Sequence, residues 1–218
     1  MGKAKRIERV AALSKLLADN PYRLFSFSSF CKKFDIAKST LSEDVLAVKS
    51  GLEMYGLGKV ETLSGAAGGV RFIPCHLPED NYAFLQELAV RLTAPERILP
   101  GNILYTTDLL CQPSIVMRLG EIFMERLQEL EPTCIMTVET SGIPLAMAVA
   151  RAFNVPLVIA RRASYITEGS TVNINYVSGS RTIQTMAMPK RALQPNSRVL
   201  IIDDVMKGGG TAKGMAAL

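Results

Sequence analysis

The stretch Val199-Leu200-Ile201-Ile202-Asp203-Asp204-Val205-Met206-Lys207-Gly208-Gly209-Gly210-Thr211 decides how this chain is read. Residues 199–202 form a short unbroken apolar run, which suits a strand buried on both faces of a parallel sheet. Asp203 and Asp204 follow at the carboxyl end of that strand, where open α/β sheets place their ligands. Lys207 to Thr211 is a glycine-rich turn. With a helix starting at Thr211, the turn aims backbone N–H groups into an anion nest at a helix N-terminus. A sugar phosphate fits: Lys207, Gly208, Gly209, Gly210 and Thr211 hold its phosphate. Asp203 and Asp204 face the ribose hydroxyls or a bound Mg²⁺.

The stretch is not a P-loop, because no Gly-Lys-Ser/Thr ending occurs and the acids precede the glycines. It is not a dinucleotide fingerprint, because Gly-x-Gly-x-x-Gly is absent. Apolar strand, Asp-Asp, two residues and a five-residue turn ending in Thr resembles the phosphoribosyl-pyrophosphate (PRPP) motif of type I phosphoribosyltransferases.

Upstream, the pattern alternates strand and helix. Pro113 to Leu130 reads as a helix, Cys134 to Val138 as a buried strand, Pro144 to Phe153 as a helix and Pro156 to Ala160 as the next buried strand. Such units imply a parallel sheet with right-handed crossovers. Thr140-Ser141-Gly142 therefore lies between a strand and a helix, with the same expected geometry as the main motif. Two such turns on one sheet edge suit a ligand with two separated phosphate groups, and PRPP carries a 5′-phosphate and a pyrophosphate. Arg161-Arg162, just past the next strand, adds positive charge at that edge. Residues 167–188 alternate apolar and polar around Ser178-Gly179-Ser180, a hairpin or flap.

The first third reads differently. The net charge of +5 lies wholly there: 12 Lys+Arg against 7 Asp+Glu through Pro74, and 13 against 13 from Cys75 onward. That asymmetry points to a polyanionic partner for the N-terminal part. Ile7, Val10, Ala11, Leu13, Leu16 and Leu17 recur at helical spacing, so 6–20 reads as an amphipathic helix ended by Pro21. Residues 26–34 fit a short second helix capped by Ser26 or Ser28. A third carries Leu41, Val45, Val48 and Leu52, with Thr40 and Glu43 placed for a capping box. Lys59 to Leu63, a glycine-rich loop and Val70 to Ile73 form a hairpin. Three helices and a hairpin describe a winged helix, whose later helix enters the major groove of double-stranded DNA. Lys38, Ser39, Thr40, Ser42 and Lys49 are the candidate contacts on that helix, with Lys59 and Arg71 beside the hairpin. Pro74 and Pro78 mark the boundary, giving a DNA-binding domain over 1–74 and an effector domain over 75–218. A connecting helix spans 79–91, with Tyr82, Leu85, Leu88, Ala89 and Leu92 on its apolar side.

No apolar run approaches the ~20 residues of a membrane span, and no secretory signal opens the chain. Cys31, Cys75, Cys111 and Cys134 are scattered, with His76 alone able to join them. They read as reduced thiols in a cytoplasmic protein.

With both turns in place, the whole chain resembles the family of purine operon repressors that fuse a winged helix to a type I phosphoribosyltransferase-like domain. The resemblance includes Ser42-Glu43-Asp44, the wing 65–70, the stretch 95–101, Thr106/Thr107-Asp108, 142–146, and 167–172 with 175–179. It implies an α/β fold and a dimeric repressor of purine genes, released when PRPP binds as inducer with Mg²⁺ carried through PRPP. It also implies competition by guanine-nucleotide alarmones and no resident cofactor. The second domain looks most like xanthine phosphoribosyltransferases, and the alternative is an active purine phosphoribosyltransferase with an appended DNA-binding domain. Lys207 opposes catalysis: a cation there strengthens anion binding but is a poor proton acceptor near neutral pH. Gly208 stands where the resemblance leads one to expect alanine. The resemblance further implies strands beyond Leu218, so the chain reads as a truncated product or fragment with C-terminal strands missing.

Overall fold

The computed structural model describes residues 4–65, 68–101, 103–163, 169–177 and 182–218. The tip of the wing at Ala66-Ala67, and Ser178-Gly179-Ser180 with Thr167-Glu168, lie outside these. The chain packs as two compact units, Met1–Leu88 and Ala89–Leu218. The sequence places the boundary at Pro74, whereas this division falls inside the connecting helix.

In the first unit, α1 (Arg6–Asp19), α2 (Phe27–Phe34) and α3 (Lys38–Met54) precede β1 (Lys59–Leu63) and β2 (Gly69–Ile73). The strands pair antiparallel, with Glu61 opposite Arg71. Phe25 adds a bridge to the other edge of β2, exchanging hydrogen bonds of 2.9 Å with Val70. Leu13, Leu17, Phe30, Leu41, Val45, Val48, Val60, Val70 and Phe72 form the core. Each fully buried side chain of this size contributes about 1.5–3 kcal/mol.

Two local expectations change. Ile7 is 83% exposed, and Arg9 takes the inward place one turn before Leu13 and Leu17. An apolar count cannot find this, because what buries Arg9 is an acid from α3. The Thr40–Glu43 capping box is also absent. The N-cap is Ala37 without a side-chain cap, so Thr40 lies inside the first turn, and Ser42 Oγ donates instead to the Lys38 carbonyl at 2.9 Å. Ser26 does cap α2, accepting from the Ser29 N–H at 3.2 Å.

α4 (Pro78–Leu92) buries Leu88, but Tyr82 on its expected apolar side is 67% exposed. In the second unit, β3 (Ile98–Leu99) pairs with β4 (Ile103–Leu104), followed by α5 (Thr107–Leu110) and α6 (Pro113–Leu127). Then come β5 (Cys134–Val138), α7 (Ile143–Phe153), β6 (Leu157–Ala160), β7 (Thr171–Val177), β8 (Ile183–Pro189), β9 (Val199–Ile201) and α8 (Gly210–Ala217). The parallel sheet has the order β6-β5-β9. β5 is central and all five of its residues are buried. β9 is at the edge among the described strands, with Val199 38% exposed, so the apolar run is not covered on both sides as its composition suggests. The β7–β8 hairpin joins β6 through a bridge between Arg161 and Ala187. No helix of the described residues is long and apolar enough to cross a membrane.

Candidate functional site

Asp203 and Asp204 lie just past the end of β9, and the turn after them delivers Gly209 with φ +72° at the N-cap of α8. That left-handed backbone suits glycine. The N-terminal N–H groups of α8 thus open beside the two acids, giving a positive helix end next to carboxylates. Asp204 donates its N–H to Asp203 Oδ1 at 3.0 Å. Burial, reinforced by hydrogen bonding to Asp204, pushes the Asp203 carboxyl up to about 6.

The turn after β5 meets the same place. Ser141, Arg162, Asp203, Asp204 and every residue from Lys207 to Thr211 line one concavity of about 1070 Å³. Gly142 does not line it but fixes it: a Cβ there would stand 2.6 Å from Asp203 Oδ1 and 2.7 Å from Thr137 Oγ1. The two turns are thereby packed directly on one another. Gly142→Ala is expected to cost about 1–3 kcal/mol through overpacking, read as a lower thermal midpoint of the second unit. An unchanged midpoint would mean that the turn yields.

Not every candidate enters the concavity. Thr140 is the turn's first residue, after a cis Glu139–Thr140 peptide, and does not line it. Arg161 is turned to Glu139, its Nη1 at 3.5 Å from Oε2, and the same carboxylate accepts the Arg162 N–H at 2.8 Å.

The sequence reading gave no role to two parts of the wall. Leu99, Ile103, Leu104 and Tyr105 supply an apolar side. Arg97 clamps that hairpin, donating to both Asp108 carboxylate oxygens at 2.7 Å and to the Tyr105 carbonyl at 3.0 Å. Hydrogen bonding to Arg97 holds the Asp108 carboxyl below its ordinary value. Gln184, from β8, also lines the concavity. The stretches around Arg97 and Asp108 carry the family resemblance, a signal without a chemistry, and a lone glutamine carries none.

In the first unit, Lys38 and Ser42 of α3 line a concavity of about 690 Å³ with Thr62 and Ser64 of the wing. Lys38 lies over the Phe27 ring at 5.8 Å. Ser39 and Lys59 are exposed, and Thr40 is half-buried. Lys49 sits one turn before Glu53, its ammonium 4.0 Å from the carboxylate. Arg71 is already engaged within the hairpin. It bonds Glu61 across the hairpin at 2.8 Å and lies 4.6 Å over Tyr22, because β1 and β2 place the two charges in register.

Behind α3, Asp44 is 1% exposed and accepts from Arg9 Nε at 2.7 Å and Nη2 at 3.3 Å. Arg6 approaches the same carboxylate at 3.6 Å.

Comparison with known proteins agrees with this division. Residues 5–74 match the family model for the N-terminal domain of the bacterial purine repressor, and residues 106–218 match the phosphoribosyl transferase domain. The purine biosynthesis transcriptional repressor PurR of Bacillus subtilis is 46% identical over 99% of this chain and 76% of its own length. The purine biosynthesis transcriptional activator PurR of Lactococcus lactis is 40% identical over 98% of this chain and 79% of its own. Among solved structures, adenine phosphoribosyltransferase from Rhodothermus marinus has a TM-score of 0.53 at 27% identity, covering 63% of this chain and 78% of its own. The chain thus has relatives along nearly its whole length, and it belongs to the bacterial purine repressor family.

Proposed function

We propose that the chain is a DNA-binding repressor of purine biosynthesis genes whose second unit binds PRPP as an inducer and carries out no phosphoribosyl transfer. The observation that carries the effector reading is that both phosphate turns and the acid pair open into one concavity. The α8 turn takes the 5′-phosphate and the Ser141 turn with Arg162 takes the pyrophosphate. Asp203 and Asp204 take the ribose hydroxyls, and Mg²⁺ accompanying PRPP is held through those hydroxyls. The oxygen donors fit such an ion, which supplies charge neutralisation at the phosphates. Lys207 adds a cation to the phosphate turn and no base, so the site binds without deprotonating a purine. Guanine-nucleotide alarmones carry phosphates of the same chemistry and compete there.

DNA is bound by α3 and the wing of a homodimer, in the cytoplasm. PRPP and DNA disfavour each other's bound states, a coupling that is reciprocal and of about 1–3 kcal/mol. Repression is supported by the family's name and by the Bacillus relative; the Lactococcus relative is named an activator. The test is binding to a purine-gene control region with and without PRPP and Mg²⁺. Release by PRPP is expected, and DNA affinity unmoved by saturating PRPP would sink the reading. Purine-dependent release of pyrophosphate would instead establish an enzyme.

The exposed Lys38 makes the DNA half testable on its own. Lys38→Ala is expected to weaken operator binding and lower the log–log salt slope by about 1, as loss of one phosphate contact does. An unchanged slope and affinity would remove Lys38 from the interface.

A further inference from the structure

Gln184 is a polar side chain in the concavity to which no phosphate motif assigns a part. It stands opposite Tyr176 in the β7–β8 ladder, and the Tyr176 hydroxyl donates to Gln184 Oε1 at 3.0 Å. The tyrosine itself has little freedom. It is 9% exposed and clusters with Met186 and Met215. Its ring lies against α8 at Gly214, where a Cβ would come within 3.0 Å of the ring. With the Tyr176 hydroxyl as donor, the carboxamide turns its oxygen to the phenol and its NH₂ group the other way. Oε1 is committed to Tyr176, and the NH₂ group is left with two donors that meet no acceptor among the described residues.

We infer that Gln184 is a further effector-binding residue, donating an N–H from the β7–β8 hairpin to an oxygen of a phosphorylated sugar, with Tyr176 as its positioning residue. This rests on the effector reading above and adds a contact from the hairpin, outside both phosphate turns. A sugar phosphate presents almost only oxygen acceptors, and an amide meets one without adding charge. Gln184 therefore discriminates by geometry, whereas Arg162 and Lys207 act by charge at longer range. Its contribution survives added salt and theirs is screened.

The test is calorimetric titration of PRPP with Mg²⁺ into the 218-residue chain and its variants, at low and high salt. Gln184→Ala is expected to weaken binding about tenfold with the salt dependence unchanged. Gln184→Glu, of the same shape but facing the ligand with a carboxylate, weakens it further. Gln184→Met, which keeps the volume, behaves as the alanine variant does and guards against a packing artefact. Tyr176→Phe weakens binding in the wild-type background and adds nothing in Gln184→Ala. PRPP affinity unchanged in both Gln184→Ala and Gln184→Glu would overturn the assignment. Tyr176→Phe acting equally in both backgrounds would show that it works through packing alone, and would overturn its positioning role. A wild-type chain that does not bind PRPP overturns the effector reading itself, so the two failures are told apart.

Discussion

Replacing Asp203 and Asp204 together with alanine is expected to abolish the proposed PRPP response and to leave operator binding within twofold of the wild type. Both residues line the concavity in which the two turns meet. Each loses a charge-assisted hydrogen bond of about 1.5–3 kcal/mol, so PRPP affinity falls by roughly 100-fold or more. The measurement is the DNA-binding isotherm with and without PRPP, alongside direct titration of PRPP. Loss of DNA binding together with PRPP binding would make the acid pair structural. The stability of the same site has a defined pH sign. The Asp203 carboxyl is raised to about 6 in the folded chain, against about 4 when unfolded. Ionising it therefore costs the folded state, and stability from this group is lost as pH rises from about 4 to about 6. Asp203→Asn removes that loss, so its thermal midpoint gains on the wild type across that window.

The second large effect lies in the first unit. Asp44→Ala leaves Arg9 inward without its acid, and the unit loses a large part of its stability, since breaking a buried ion pair strands the remaining charge. The expected result is loss of operator binding with an early-melting N-terminal transition. Asp44→Asn, which keeps hydrogen-bond acceptance, lies between. An alanine variant that melts with the wild type and still binds DNA would show that α1 and α3 hold together through Leu13, Leu17, Leu41 and Val45 alone. The pair ties α1 to α3, with Asp44 1% exposed between them.

Much of this was legible in the sequence because periodicity and local chemistry agree. The central strand is Cys134–Val138 as read, and α7 opens with Pro144 in its first turn. Both turns fall at strand ends, because apolar run and turn each fix their own conformation. The misses share one cause: partners distant in sequence. Val199 is exposed because burial of β9 depends on what lies on its outer side. Arg9 is inward, and Ile7 outward, because Asp44 lies 35 residues away in α3. Gln184 comes to the concavity only because the β7–β8 ladder sets it across from Tyr176.

The contact at Gly142 reaches beyond stability. With the backbone of one turn seated on the Asp203 carboxylate of the other, the gap between the two turns is set by close-packed atoms. On the effector reading proposed above, the pocket is expected to act as a caliper: a bisphosphate too short or too long to span the two turns should bind more weakly than one that fits, at equal charge.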